Sequence, residues 1–329
     1  MFIVKRFLML LLPLLLLGQA PQVFAAGFAW ELVSRDGTEY VPVDNVRAFY
    51  GFTAPERSEG SWRILENKKT QIKIQPRSQE MLMNKLKFIL SHPISQDSNG
   101  RLFISKVDVI KIMDPILRPS YIKTAGAFKT IVIDPGHGGH DAGATNHFSR
   151  ESDLNLRLGK KLRAVLQKEG FNVVMTRDTD VYLTLQQRVD IANKYNNAIF
   201  ISLHFNSARR DASGMETFTL TPRGTCSTFQ GHKSSDMVGM RGNAQDSANI
   251  ALATAIQGTV QRRMGALDRG IKRARFSVLC GIQHPAVLFE GGFVSNQRES
   301  VLINNEAYLD KMAKNLAAAV RKYKNAVTR

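Results

Sequence analysis

The sequence predicts an α/β fold, a mostly parallel central sheet flanked by helices, with a small N-terminal α+β module ahead of it. Two observations predict this. From Lys129 onward, β-like apolar stretches alternate with segments of helical spacing, the pattern of a sheet covered by helices. Three of those stretches run straight into a group able to bind a metal or move a proton: Thr130-Ile-Val-Ile-Asp-Pro-Gly-His137, Ile199-Phe-Ile-Ser-Leu-His204 and Ala286-Val-Leu-Phe-Glu290. Open α/β sheets build their sites at the carboxyl ends of strands, so three such endings predict a single cleft.

The elements follow in chain order. Residues 1–25 have the make-up of an export signal, with Lys5 and Arg6 as the positive region, Phe7 to Leu17 as the apolar run, and Val23-Phe-Ala25 at cleavage spacing. That run is short of the roughly 20 residues of a membrane span, so the protein is expected not to be integral to the membrane after cleavage. Residues 28–118 read as a separate module of uncertain role. In it, Tyr40-Val-Pro-Val43 and Thr70-Gln-Ile-Lys-Ile-Gln75 alternate like strands, Gln79 to Leu90 has helical spacing, Arg101 to Lys106 resumes a strand, and Val107 to Met113 forms a short helix. Pro115, Pro119 and Gly126 mark the linker, placed at residues 119–128.

In the second unit, residues 129–325, the strand ending at His137 leads into a helix with Leu154, Leu158, Leu162 and Leu166 on one stripe, stopped by Gly170. Phe171 to Thr176 is the next strand. Thr184 and Gln187 form a plausible capping box for a helix that buries Leu185, Val189 and Ala192. Strands follow at Ala198–His204 and Met215–Leu220. A polar, irregular stretch runs from Pro222 to Asn243, and then a long helix from about Asp246 to Met264. After the Glu290 strand, helices begin near Asn296 and before Tyr308.

Composition narrows the partners. A formal net charge of +17 favours acidic or polyanionic surroundings. An exported chain does not meet nucleic acid, so anionic polymers of the cell envelope fit better, and periplasm or cell envelope is the expected location. The two cysteines, Cys226 and Cys280, leave a disulfide open. Neither lies in a Cys-x-x-Cys pair, which argues against a thiolate zinc site.

The chemistry-bearing residues are read one at a time. Glycines on both sides of His137 let the backbone turn sharply and leave the imidazole uncrowded. The spacing lacks both the GxGxxG pattern and the lysine of a phosphate-binding loop. His140 and His147 compete for the ligand role. Glu151 opens a helix, where a carboxylate is favoured by the macrodipole alone. His204 ends an apolar strand and could equally be a satisfied core histidine. Glu290 closes another such strand, and burying it unpaired is costly. Two imidazoles and a carboxylate in one cleft look like a zinc hydrolase.

Taken in order, Asp134-Pro-Gly-His-Gly-Gly139, Glu151-Ser-Asp-Leu-Asn-Leu156, Thr176-Arg-Asp-Thr-Asp180, Ile201-Ser-Leu-His-Phe-Asn-Ser207, Arg269-Gly-Ile-Lys272 and Val287 to Asn296 resemble the zinc-dependent N-acetylmuramoyl-L-alanine amidases of the type 3 amidase family. The resemblance covers about residues 129–325. It implies that His137, Glu151 and His204 bind Zn2+ and that Glu290 is the catalytic acid/base. It also implies hydrolysis of the amide between the lactoyl group of N-acetylmuramic acid and L-alanine, peptidoglycan as substrate, and the possibility of a protein activator. Ser152 stands where members often carry Lys, and Gly291 where Thr is common; neither removes a ligand. Some members carry a regulatory helix between the positions of Pro222 and Asn243 that covers the zinc. Here the stretch is short and Gly-rich, with His232 and Asp236, and reads as an ordinary loop. Two other functions stay open: a zinc carboxypeptidase on the stem peptide, and a wall-binding regulator without turnover. Arg177, Arg188 and Asp190 read as bracing residues, Asn206 as a substrate contact or ligand-orienting group, and His284 as structural or substrate-side.

Overall fold

A computed structural model describes residues 28–123 and 126–328; the expected leader over residues 1–25 lies outside them. Two sheets are present among the described residues. The smaller is antiparallel and joins β1 (Val33–Arg35), β2 (Thr38–Pro42), β8 (Ser95–Gln96) and β9 (Leu102–Ser105) in the order β1-β2-β9-β8. Helix α1 (Val43–Tyr50) follows β2 directly, so Val43 starts a helix instead of ending the expected strand. After β9 the chain coils through α2 (Lys106–Asp108), a π-helical turn (Val109–Met113) and α3 (Asp114–Leu117).

The larger sheet has eleven strands. Its first five are β3 (Arg57–Glu59), β4 (Trp62–Glu66), β5 (Gln71–Ile74), β6 (Glu80–Met83) and β7 (Leu86–Ile89). Here the structure corrects one expectation: Gln79 to Leu90 is a hairpin, not a helix. Met81 and Met83 face the core from one strand and Leu86 and Phe88 from the other, so the apolar period is two on each side of a turn. Asn84 and Lys85 make that turn with φ of 50° and 67°, a two-residue connection of the type that matches strand twist.

The remaining strands and helices are β10 (Thr130–Pro135), α4 (Glu151–Lys168), β11 (Asn172–Met175), α5 (Leu185–Asn193), β12 (Ala198–Asn206), β13 (Met215–Leu220), α6 (Asp246–Met264), β14 (Asp268–Ala274), α7 (Ser277–Gly281), β15 (Ala286–Phe293), α8 (Gln297–Asn304) and α9 (Glu306–Val327). The expected strand and helix order is borne out, with two additions: α7, and β14, which the mixed sequence Asp-Arg-Gly-Ile-Lys-Arg-Ala does not announce. Sheet order is β11-β10-β12-β15-β13-β14-β7-β6-β5-β4-β3. Pairing is parallel from β11 through β15 and between β13 and β14, but antiparallel between β15 and β13, so the sheet is mixed. Leu154, Leu158, Leu162 and Leu166 of α4 are fully buried, and α9 and α6 contribute Leu316, Val320, Ile256 and Val260 to the same core. Each such side chain stabilises the fold by roughly 1.5–3 kcal/mol relative to exposure. The Thr184 capping box forms as expected and Val189 and Ala192 are buried, but Leu185, in the first turn, is exposed instead of buried.

The N-terminal region is joined to the rest by main chain and by charge. Strand β7 pairs with β14 at Phe88 and Ile271. Beside this, Asp108 is fully buried against Arg273, 3.3 Å away and itself 3% exposed. The backbone N–H groups of Ser91 and His92 donate to the same carboxylate, and Arg273 also donates to the Ser91 hydroxyl. Lys87 N–H donates to Asp268 Oδ2 at 2.8 Å.

Candidate metal and catalytic site

The carboxyl ends of β10, β12 and β15 lie side by side, and the residues that close them meet there. At the end of β10, Gly136 is required by a close approach: a Cβ at this position would fall 2.2 Å from the His204 ring. His137 follows with φ of 61°, a left-handed conformation that costs a non-glycine residue roughly 1–2 kcal/mol. The loop is held in this form from behind. Arg177 donates to the carbonyls of Pro135, Gly136 and Ser152, and Arg188 donates to the carbonyls of Pro135 and His137. Arg188 also pairs with Asp134 at 2.8 Å, and Thr176 and Ser202 donate to that carboxylate. Arg177 and Arg188 thus brace the His137 loop from buried positions. Asp190 is exposed and only accepts from Gln186.

His137 Nδ1 lies 2.8 Å from Asp141 Oδ2, which fixes the ring so that Nε2 faces Glu151 Oε1 at 3.3 Å. Glu151 is the first residue of α4 and 5% exposed. Its Oε2 accepts from Ala144 N–H, and its Oε1 lies 2.8 Å from His204 Nδ1. The donor atoms of His137, Glu151 and His204 all fall within 4.8 Å of one another, a set able to hold a metal ion. Their charges are mutually adapted. Burial alone would raise the Glu151 carboxyl, but the two imidazoles hold it well below the usual carboxylate range. Burial would depress His137, yet Glu151 and Asp141 together push it to about 8.

Glu290 sits one strand over, its Cα in register with His204 on β12 and with Glu216 on β13. Residues in register on neighbouring strands point to the same face, so Glu290 shares the face of His204. Its Oε2 is buried and takes no hydrogen bond. Burial raises its pKa well above the carboxylate range; Glu151 and Glu216 add to the rise and Lys272 opposes it. Glu216 is 3% exposed and accepts from Asn206 at 2.8 Å, from Arg269 at 2.9 Å and from Lys272. Asn206 is therefore a support for Glu216. Sequence reasoning missed Asp141 and Glu216. An aspartate four residues after a glycine-flanked histidine is a usable signal for the first, whereas Glu216, inside an ordinary alternating strand, has none.

The competing residues lie elsewhere. His140 is exposed and rests on the Tyr182 ring, with centroids 4.0 Å apart, and His147 is exposed. His284 precedes β15 at the end of the sheet opposite to Glu290. Gly291 is explained by packing: a Cβ there would press to 2.9 Å on Phe205 and 3.0 Å on Met312. Cys226 and Cys280 are both free thiols. The 222–243 stretch leaves β13 after Leu220, four residues beyond Glu216 and thus about 13 Å along the strand from Glu290's neighbour. It therefore emerges at the opposite end of the sheet from His204 and Glu290.

Comparison with known proteins accords with this geometry. A family profile described as N-acetylmuramoyl-L-alanine amidase matches residues 131–322. The uncharacterized protein YqiI of Bacillus subtilis is 33% identical over 195 residues, 59% of this chain and 84% of that protein. The N-acetylmuramoyl-L-alanine amidase AmiC of Escherichia coli is 30% identical over 245 residues, 67% of this chain and 59% of that protein. Among solved structures, the catalytic domain of CwlV, an N-acetylmuramoyl-L-alanine amidase from Bacillus (Paenibacillus) polymyxa, superposes with a TM-score of 0.51 at 28% identity, covering 60% of this chain and 99% of that one. With strand ends, ligand-capable residues and sequence profile all in agreement, the chain belongs to the N-acetylmuramoyl-L-alanine amidase family, and its activity is hydrolysis of the amide that joins the N-acetylmuramoyl group to L-alanine in peptidoglycan.

Proposed function

We propose that this amidase is zinc-dependent, that His137, Glu151 and His204 hold the ion, and that Glu290 is the general acid/base. The observation that carries the proposal is the convergence of two imidazoles and one carboxylate within 4.8 Å, beside a second carboxylate oxygen that is buried and unpartnered. Nitrogen and oxygen donors in this ratio suit zinc, and three protein ligands leave a coordination position free for chemistry. When bound, zinc polarises the scissile carbonyl and brings the pKa of water down to about 7.

The chain's own residues do the rest. Asp141 orients the His137 ring through Nδ1, leaving Nε2 for the ion. Glu151, kept ionised by the imidazoles, supplies the negative charge that balances the cation. Glu290 accepts a proton from the attacking water as the new C–O bond forms at the lactoyl carbonyl carbon. It then delivers that proton to the L-alanine nitrogen as the C–N bond breaks, leaving a lactoyl carboxylate and a free amine. Its raised proton affinity in the metal-free chain suits the second half of this task, since an amine leaves only when protonated; the first half needs the ionised form, which a cation held at His137, Glu151 and His204 would favour. Glu216, clamped by Arg269 and Lys272, fixes the charge behind Glu290.

Export to the envelope, with residues 1–25 as the removed leader, completes the proposal; among the described residues no helix is long and apolar enough to cross a membrane. A protein activator acting on the same cleft belongs to it too, and full turnover by the purified chain would remove the need for one. Muropeptide digestion tests the chemistry. Chelation is expected to stop release of peptides with a free L-alanine amine, and added zinc to restore it; an unchanged rate in chelator would defeat the zinc assignment. Release of a terminal amino acid instead would indicate a carboxypeptidase. N-terminal sequencing of envelope-associated protein is expected to begin just after Ala25, and a cytosolic protein starting at Met1 would overturn the location.

A further inference from the structure

A second group of metal-capable side chains lies at the other end of the sheet. Cys226, His232 and Asp236 offer a sulfur, an imidazole nitrogen and a carboxylate oxygen within 4.8 Å of one another. The Sγ of Cys226 is 3.7 Å from His232 Nδ1, and that nitrogen is 3.6 Å from Asp236 Oδ2. In a tetrahedral site with bonds of about 2.0–2.3 Å, neighbouring donors are about 3.3–3.8 Å apart. The two separations at His232 fall in that range, and the third pair, Cys226 and Asp236, lies within 4.8 Å.

The fold anchors Asp236 and the chain beside Cys226. Asp236 is 3% exposed, and its Oδ2 accepts from Lys233 N–H at 2.8 Å. Its Oδ1 accepts from Arg275 at 3.1 Å, and its carbonyl accepts from both Arg275 and Gly224. Arg275 follows β14, so the carboxylate is anchored to the sheet and not only to its own loop. Thr228 is tied to the same strand by reciprocal bonds with Arg273 backbone groups, two residues beyond Cys226. The His232 side chain, 58% exposed, leaves one side of the cluster open to solvent.

We propose that Cys226, His232 and Asp236 form a second metal site for a zinc-class divalent cation, independent of the site at His137, Glu151 and His204. One thiolate and one imidazole select a borderline-soft ion over calcium or magnesium, which require oxygen donors throughout. Counting cysteines argues against a thiolate zinc site, because a set of several thiolates needs more than this chain has; a mixed-donor site needs only one. A cation here ties the loop after β13 to the end of β14, the strand that carries Arg269 near its other end and Lys272 two residues before Ala274.

Substitution with cobalt separates the two sites, because only the second contains sulfur. The full chain loaded with Co2+ is expected to show a thiolate-to-cobalt charge-transfer band in the near ultraviolet. That band should vanish in Cys226→Ser and persist in His204→Ala. Zinc per chain after dialysis against buffered zinc is expected to be two in the wild type and one in Cys226→Ser. A cobalt spectrum with no thiolate band, or equal zinc content in wild type and Cys226→Ser, would overturn the proposal. Thiol titration of the unmutated chain guards against misfolding of the variant: zinc should protect one of the two thiols, with Cys280 as the internal control, and equal reactivity of both with and without zinc would also overturn it.

Discussion

At Glu290 two influences act in opposite directions: burial and the neighbouring carboxylates raise its proton affinity, and Lys272 lowers it. The net rise makes it a competent proton donor and leaves a charge without a partner once it ionises. Glu290→Gln keeps the volume and is expected to retain zinc while losing about 10²–10⁴-fold in turnover; a variant with near wild-type rate would remove the acid/base role. The sign of the pH effect on stability follows from linkage. In the chelated chain the folded state holds the Glu290 proton to higher pH than the unfolded state does. Stability from this residue is therefore complete below the unfolded value near 4.5 and declines as pH rises above it. Denaturation midpoints of chelated Glu290→Gln should accordingly overtake the wild type as pH is raised from 4 toward 8. A constant difference across that range would contradict the shift. For His137, held near 8 in the metal-free chain, the proton competes with the ion. Zinc affinity at this site is expected to weaken by roughly tenfold per pH unit below about 8, measured by competition with a calibrated chelator in Cys226→Ser. An affinity flat from pH 6 to 8 would show that His137 is not a ligand.

Among the elements, the hairpin of β6 and β7 shows why one local pattern was misleading. Met81, Leu86 and Leu90 satisfy helical spacing, but Met81, Met83, Leu86 and Phe88 also satisfy two strands joined at Asn84-Lys85. Tertiary context decides between them, since Phe88 finds a partner strand in β14. Without a glycine at the turn the usual hairpin mark is missing. Lys85 carries the strain of a φ of 67°, so Lys85→Gly is expected to stabilise the protein by roughly 1 kcal/mol. Urea denaturation checks this, and a destabilised variant would show that the Lys85 side chain matters more than its backbone. The α4 stripe behaves in the opposite manner: its leucines, the glycine stop and the strand before it agree with each other, and the element is where periodicity places it.

Across the whole molecule, the larger sheet runs without a break from the amidase strands into β7 to β3, and Asp108 is buried on Arg273 at that junction. Removing one member of a buried pair leaves the other charge uncompensated. Asp108→Ala is therefore expected to cost about 3–5 kcal/mol, read as a shift of the denaturation midpoint. A loss below 1 kcal/mol would mean that solvent reaches Arg273. β14 also carries Arg269 and Lys272, which clamp Glu216 beside Glu290, so the junction and the site share a strand.

The residues of the site were legible because catalysis demands rare local chemistry: a glycine-flanked histidine and two apolar strands that end in His204 and Glu290. Taken in order with the other motifs, these endings pointed to the fold class, the family and the ligand set proposed above. What the sequence left open depends on contacts between segments far apart in it. Glu216 gains meaning only through antiparallel pairing of β13 with β15, which sets it opposite Glu290. The same reversal of direction carries the 222–243 loop to the far end of the sheet and brings Cys226, His232 and Asp236 together there. Strand direction and register are properties of the assembled sheet, held by burial and backbone hydrogen bonds between distant segments, and no local pattern encodes them.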